Sequence, residues 1–187
     1  FLIVVKAESS ISGVYLCHVA LSNREITYVY NKEILSHLNT MLPQTTVVAI
    51  QEALYSGDEN KLQQQIQTLL TQSVSTFDTA GENFYHGFVL GLCALLGNAY
   101  TTSNRESGDG RYDIQLAPKK PTLPGIIIEL KAEKHCNAEQ LRVLSQKALR
   151  NIEDKKYDTE MLTHGVKTIY KYGVAFSGKN VEVVTKK

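Results

Sequence analysis

The chain has 187 residues, of which 43% are hydrophobic and 21% charged, with 12 Gly and 4 Pro. This composition is typical of a single globular domain with enough apolar side chains for a core, and it excludes disordered, collagen-like and low-complexity chains. The net charge of +1 hides an acidic part, with 6 Lys and Arg against 11 Asp and Glu through Pro118, followed by a basic part with 14 against 8, a distribution that is compatible with a polyanionic partner.

Residues 1–75 are predicted to be mostly helical after a short extended start. Apolar residues at strand or helix spacing predict a strand at 14–19 and helices at 25–41, 46–55 and 61–74. Pro43 ends the first helix, and a Ser-Gly-Asp break separates the other two. We expect this region to pack on the rest of the chain.

Residues 76–187 predict an α/β core in the order helix, three strands, helix and two strands. The elements are expected at 82–96, 99–105, 111–116, 125–132, 137–157, 167–176 and 181–184. Asn137 is expected to cap the long second helix, and a hairpin turn is expected at 177–180. This order predicts a mixed sheet flanked by helices.

The chemically informative segment is the strand at 125–132, an apolar run that ends in charged residues. Successive side chains of a strand alternate between its faces, so Glu129 and Lys131 share one face. In the preceding strand, Tyr112 and Ile114 are expected on one face and Asp113 on the other, beside Glu129 if the strands are neighbours. A charge buried at the end of a core strand is costly unless it is paired or binds a metal ion.

Two carboxylates beside a lysine suit metal-assisted hydrolysis of a phosphodiester. Hard oxygen ligands hold Mg²⁺, which offsets phosphate charge and acidifies water, while a lysine orients that water or stabilises the transition state. The alternative is that Glu129 and Lys131 form only an ion pair at a strand end, because E-x-K alone is a short pattern.

Several segments, taken in order, resemble the PD-(D/E)XK nuclease superfamily. They are GENFYHGFVLGL, SNRESGDGRYDIQLAPK, GIIIELK, ALRNIEDKKY and YGVAFSGK. The resemblance is closest to the branch often found at the C-terminus of proteins with an AAA-ATPase-like domain, and the opening YLCHVALSNREITYVYNKEI is similar to the segment that joins those two domains. The resemblance implies a restriction-endonuclease-like core and an upstream ATPase-like domain. It also implies a DNA substrate, with RNA as the alternative.

The resemblance also implies roles for single residues. Asp113, Glu129 and Lys131 match the superfamily's Asp and E-x-K directly, although Tyr112 stands where the superfamily has Pro before the Asp. Glu82 is the best match to the acid of the first helix. The implied ligands of Mg²⁺ or Mn²⁺ are therefore Glu82, Asp113 and Glu129.

Two further acids compete with Glu82 for that role, because Glu106 and Asp109 lie close to the second strand in the sequence. His86 lies one helical turn from Glu82 and could be an auxiliary contact to metal or phosphate. A hydrogen-bonded core histidine is the other interpretation of His86.

Four residues are predicted to contact nucleic acid. Arg105 and Arg111 bracket an SGDG turn and could meet the phosphate backbone, where contacts position a substrate without reading its sequence. Gln146 and Lys147 lie on the helix that flanks the site in related nucleases. A solvated surface is the alternative for each of them.

A second hypothesis from another class is a catalytically inactive module that binds nucleic acid or protein within a larger ATPase-linked or effector-type protein. A toxin-like effector whose nuclease is restrained by an inhibitory partner protein is a related biological role. We also expect the chain to be a fragment of a longer protein, because it begins at Phe1 rather than Met.

Two other motifs are not supported by their context. The segment 173–179 fits G-x4-G-K, but Asn180 replaces the Ser or Thr of a P-loop and a strand follows instead of a helix. Cys17-His18 and His135-Cys136 lack further ligands at zinc spacing.

The environment of the protein is predicted from its cysteines and its hydrophobic runs. Three widely spaced cysteines suggest no disulfide framework, which favours a reducing, cytoplasmic location, or delivery into a host cell if the protein is an effector. No apolar run approaches the length of a membrane span, so no membrane partner is expected.

Overall fold

The computed structural model describes residues 2–9, 15–21, 44–73 and 82–187. The chain divides into two compact units, Phe1–Gln44 and Thr45–Lys187. In the first unit, strands β1 (Leu2–Ser9) and β2 (Tyr15–Leu21) pair antiparallel. The helix predicted at 25–41 lies outside the described residues, and the division of the chain at residue 75 stays a prediction.

The second unit consists of five helices and seven strands within the described residues. The helices are α1 (Gln44–Ser56, whose first residue belongs to the other unit), α2 (Glu59–Ser73), α3 (Glu82–Ala94), α4 (Ala138–Asp154) and α5 (Thr159–Thr163). The strands are β3 (Ala99–Ser103), β4 (Glu106–Ser107), β5 (Gly110–Arg111), β6 (Ile114–Pro118), β7 (Gly125–Ala132), β8 (Ile169–Ser177) and β9 (Asn180–Lys186). None of the described helices is long and apolar enough to cross a membrane.

Five of these strands form one mixed sheet in the order β3-β6-β7-β8-β9. Strands β7 and β8 run parallel and are connected through α4, whereas the other neighbouring pairs are antiparallel. The apolar run that opens β7 is buried, as the sequence of a central strand requires. The predicted α/β core with a mixed sheet flanked by helices is therefore confirmed.

Helix α4 begins at a capping box and packs closely on the sheet. The side chain of Asn137 accepts a hydrogen bond from the Gln140 amide at 2.9 Å, and the Gln140 side chain accepts one from the Asn137 amide at 2.9 Å. Gly173 of β8 permits close packing, because a Cβ there would overlap the Ser145 carbonyl oxygen of α4. The face of the sheet that carries Gly173 thus lies directly under α4.

The prediction of one continuous strand at 111–116 is wrong. Strand β5 ends at Arg111 and pairs with β4 in a separate small hairpin, and β6 begins only at Ile114. Tyr112 consequently does not share a face with Ile114, because its ring packs with Ile127 and Ile152 under α4. Asp113 lies in the break between β5 and β6.

Strand β9 is an edge of the sheet, and α2 covers it. The side chains of Glu59, Gln63 and Gln67 accept hydrogen bonds from the amides of Thr185, Val183 and Val181 at 2.8, 2.9 and 3.2 Å. Four residues of helix advance by about 6 Å and two residues of strand by about 6.6 Å, so acceptors at every fourth helix position match donors at every second strand position.

The edge cover predicts a specific loss of stability in Gln63→Ala. The Val183 amide would lose its acceptor, and a buried unpaired donor costs about 1–3 kcal/mol. Urea unfolding should show that loss for Gln63→Ala. Gln64→Ala, at an exposed position on the same helix, is the matched control and should unfold nearly like the wild type. Equal stability of the two variants would contradict the interpretation.

Candidate active site

Asp113 is held by main-chain contacts where the chain enters β6. Its carboxylate oxygen Oδ2 accepts a hydrogen bond from the Leu130 amide of β7 at 2.8 Å, and its carbonyl accepts one from the Asn104 amide at 3.1 Å. The carboxylate thus takes the place of a strand carbonyl beside the central strand. Asp113 is half-buried.

Glu129 lies on β7 with only 4% of its surface exposed. Its Oε1 accepts hydrogen bonds from Lys131 Nζ at 3.1 Å and from Asn151 Nδ2 of α4 at 3.4 Å. Its Oε2 is buried and has no hydrogen-bond partner among the described residues. A buried carboxylate oxygen in this state is incompletely compensated, which suits a cation ligand.

The pKa of Glu129 is raised above its ordinary value. Burial is the main cause, and the neighbouring charge of Asp113 adds to it, while the charge of Lys131 and the hydrogen bonds from Lys131 and Asn151 act in the opposite direction. The two carboxylates are therefore close enough to repel each other. A cation between them would relieve both effects.

The donor set fits a hard divalent cation such as Mg²⁺. Asp113 and Glu129 offer carboxylate oxygens, and Oε2 of Glu129 is buried without a partner among the described residues. Mg²⁺ typically binds one or two carboxylates and keeps several waters. Within the described ranges, no group of three or more His, Cys, Asp or Glu side chains is gathered closely enough to hold a metal ion. Two protein carboxylates are thus brought together here.

Glu82 and His86 lie on α3, near the start of the helix. Glu82 is exposed and makes no hydrogen bond or ion pair to another described residue. The His86 Nε2 atom lies 3.2 Å from the Asp113 carbonyl oxygen and 3.4 Å from Asn104 Nδ2. Residues four apart share a helix face, so the face that carries Glu82 is directed toward Asp113.

The two competing acids and the four predicted nucleic-acid contacts lie at the surface. Glu106 and Asp109 are exposed residues of the β4–β5 hairpin. The four predicted contacts are also exposed, with Arg105 and Arg111 at that hairpin and Gln146 and Lys147 on α4. The structure therefore brings Asp113, Glu129 and Lys131 together, with these surface residues outside that cluster.

Asn151 is the site residue that sequence reasoning missed. It stands three residues after Ala148 and seven after Leu144, which places it near the stripe of α4 that faces the sheet. A polar residue of low helix propensity beside an apolar stripe is the signal that indicates such a role. The side-chain amide of Asn151 donates a hydrogen bond to Glu129, although Asn151 belongs to none of the motifs found in the sequence.

Comparison with known proteins gives one family match. A family model described as the PD-(D/E)XK nuclease superfamily matches residues 80–186, more than half of the chain. A search of curated proteins found no match. The matched residues include Asp113, Glu129, Lys131 and Asn151.

The raised pKa of Glu129 predicts that Glu129→Gln stabilises the metal-free protein at neutral pH. Because the pKa of Glu129 is higher in the folded protein than in the unfolded chain, the contribution of this group to folding stability is fully present at a pH below its unfolded-state pKa. That contribution is lost as the pH rises through its folded-state pKa. The variant should gain roughly 0.5–2 kcal/mol of unfolding free energy at about pH 8 in chelator, and this gain should vanish at about pH 3.5.

The control is Glu133→Gln, at an exposed position just after β7. Urea unfolding of both variants across this pH range measures the effect. A Glu129→Gln protein that is less stable than wild type at neutral pH would show that burial does not dominate the energetics of this carboxylate.

Proposed function

The chain belongs to the PD-(D/E)XK nuclease superfamily, and we propose that it hydrolyses DNA phosphodiester bonds with a divalent metal ion, Mg²⁺ or Mn²⁺. The observation that carries the proposal is the buried Oε2 of Glu129, which lacks a partner beside a second carboxylate. A purely structural E-x-K ion pair gives no reason to leave that oxygen unpaired in the core.

Asp113 and Glu129 are the proposed metal ligands. The chemistry that Mg²⁺ supplies when bound there is neutralisation of phosphate charge and a lowered pKa of coordinated water. Asn151 and Lys131 both bond to Oε1 of Glu129, so they orient the carboxylate and leave Oε2 for the cation. The Leu130 amide holds Asp113 in the same way through Oδ2.

Lys131 has a second proposed role. Its ammonium group is partly exposed, with 24% of the side chain accessible, so it can reach a substrate phosphate as well as Glu129. A positive charge at that place orients the attacking water or stabilises the charge that develops on the phosphate.

The third acid of the superfamily pattern is proposed to be Glu82. Its position one turn before His86, which lies beside the Asp113 carbonyl, supports this assignment over Glu106 and Asp109. His86 is proposed to support the backbone of Asp113 through that carbonyl. The proposed context is a longer protein with an upstream ATPase-like domain or an inhibitory partner protein.

The site predicts metal-dependent cleavage that fails in two variants. Purified protein should cut plasmid or linear DNA with Mg²⁺ or Mn²⁺, and Asp113→Ala and Lys131→Ala should each lower the rate by about 10²-fold or more. Lys120→Ala, an exposed lysine on the β6–β7 connection, is the control and should cleave normally.

Calorimetry with Mn²⁺ complements the cleavage assay, because Glu129→Ala should abolish metal binding. Equal activity of wild type, Asp113→Ala and Lys131→Ala would overturn the proposed mechanism. A folded wild type that binds DNA but cleaves nothing with either metal would support the inactive-module hypothesis instead.

Binding to DNA should weaken steeply as salt rises, because cationic side chains release counterions from the phosphates. Arg105, Arg111 and Lys147 are exposed and are the proposed phosphate contacts, with Gln146 beside Lys147 on α4. Lys147→Ala should weaken binding and lower the slope of log affinity against log salt by about one.

Arg142→Ala is the control on the same helix. The guanidinium of Arg142 contacts Glu182 at 2.7 Å and Glu59 at 3.9 Å, so its charge is already neutralised within the protein. Anisotropy titrations with labelled DNA should leave its slope unchanged. An affinity of the wild type that does not vary with salt would argue against this surface.

A further inference from the structure

Residues 104–113 leave the sheet after β3 and return to it at β6, with the hairpin β4–β5 between. The turn of this hairpin, Ser107–Gly110, docks onto the end of α4. We propose that the turn is a positioning element that sets the place of Asp113 for metal binding. Its consequence for catalysis rests on the proposed function.

Two hydrogen bonds join the turn to the residues that follow α4. The Ser107 hydroxyl donates to the Tyr157 carbonyl at 2.9 Å, and the Asp109 amide donates to the Lys155 carbonyl at 2.8 Å. Ser107 is itself buried, with 7% of its surface exposed. The turn is thus attached at both of its sides to one short segment.

Gly108 makes the contact between the turn and the residues just after α4 closer than any side chain allows. Its φ is +58°, and a Cβ there would overlap the carbonyl oxygens of Lys155 and Lys156. Gly110 is also close, since a Cβ would lie 3.2 Å from the Tyr157 ring. At Gly108 the hairpin therefore approaches the segment just after α4 backbone to backbone.

Tyr157 connects this docking contact to the carboxylates. Its ring is buried and packs edge to face against Tyr112, the residue before Asp113, with ring centroids 6.4 Å apart. The same helix that ends at the docking contact carries Asn151 to Glu129. Displacing the turn would shift Tyr112 and Asp113 relative to Glu129.

The test is Gly108→Ala with Gly178→Ala as a matched control. Both glycines have a φ of +58°, but a Cβ at Gly178 would meet nothing within 4 Å. The control therefore carries the same backbone strain without the steric overlap that displaces the turn. The rate of hydrogen–deuterium exchange at the Leu130 amide, which donates a hydrogen bond to Asp113, reports on the position of the Asp113 carboxylate. The Ile128 amide of the same strand is the reference.

In Gly108→Ala, exchange at Leu130 relative to Ile128 should speed up by about tenfold, and Mn²⁺ should bind about tenfold more weakly or worse. In Gly178→Ala both quantities should stay at wild-type values. Unchanged Leu130 exchange in Gly108→Ala, or an equal increase in both variants, would overturn the inference.

Ser107→Ala replaces Gly108→Ala if the latter does not fold. Its control is Ser177→Ala, which removes a hydroxyl that is equally buried and accepts from the Cys136 amide at 3.0 Å. If the wild type binds no Mn²⁺, the proposed function fails, and Leu130 exchange alone then decides whether the turn positions Asp113.

Discussion

The arrangement of the site depends on one constraint, the burial of the Glu129 carboxylate in the central strand. An ionised carboxylate inside a protein is unfavourable unless its oxygens are bonded or its charge is balanced. Lys131 and Asn151 supply part of that compensation, both at Oε1, while Asp113 adds repulsion. The fold thus tolerates a locally unfavourable arrangement, which is typical of sites where function rather than stability determines the residues.

Helix α4 holds the two sides of this arrangement. Asn137 begins the helix through a capping box, Gly173 lets it approach the sheet closely, and Asn151 in its fourth turn donates a hydrogen bond to Glu129. Its far end receives the hairpin that precedes Asp113. One rigid element therefore relates two carboxylates, one from β7 and one from the break before β6, as a preorganised site requires.

The sequence predicts much of the sheet because its signals are local. The apolar run and the period of two in β7 place Glu129 and Lys131 on one face, and the Asn137 cap marks the start of α4. The break at Tyr112 and Asp113 could not be predicted, because the hairpin before it contacts residues almost fifty positions later, which no local pattern shows. Asn151 was missed for the same reason, since its partner lies on another element.

The edge cover on β9 has a consequence for where the folding unit begins. The family match starts at residue 80, whereas the acceptors for the open amides of β9 come from Glu59, Gln63 and Gln67. A fragment trimmed to the matched residues would expose a row of unpaired donors on a strand rich in valine, which is a template for intermolecular pairing. The boundary of family similarity therefore differs from the boundary of a fragment whose sheet edge is covered, because only the longer fragment includes α2.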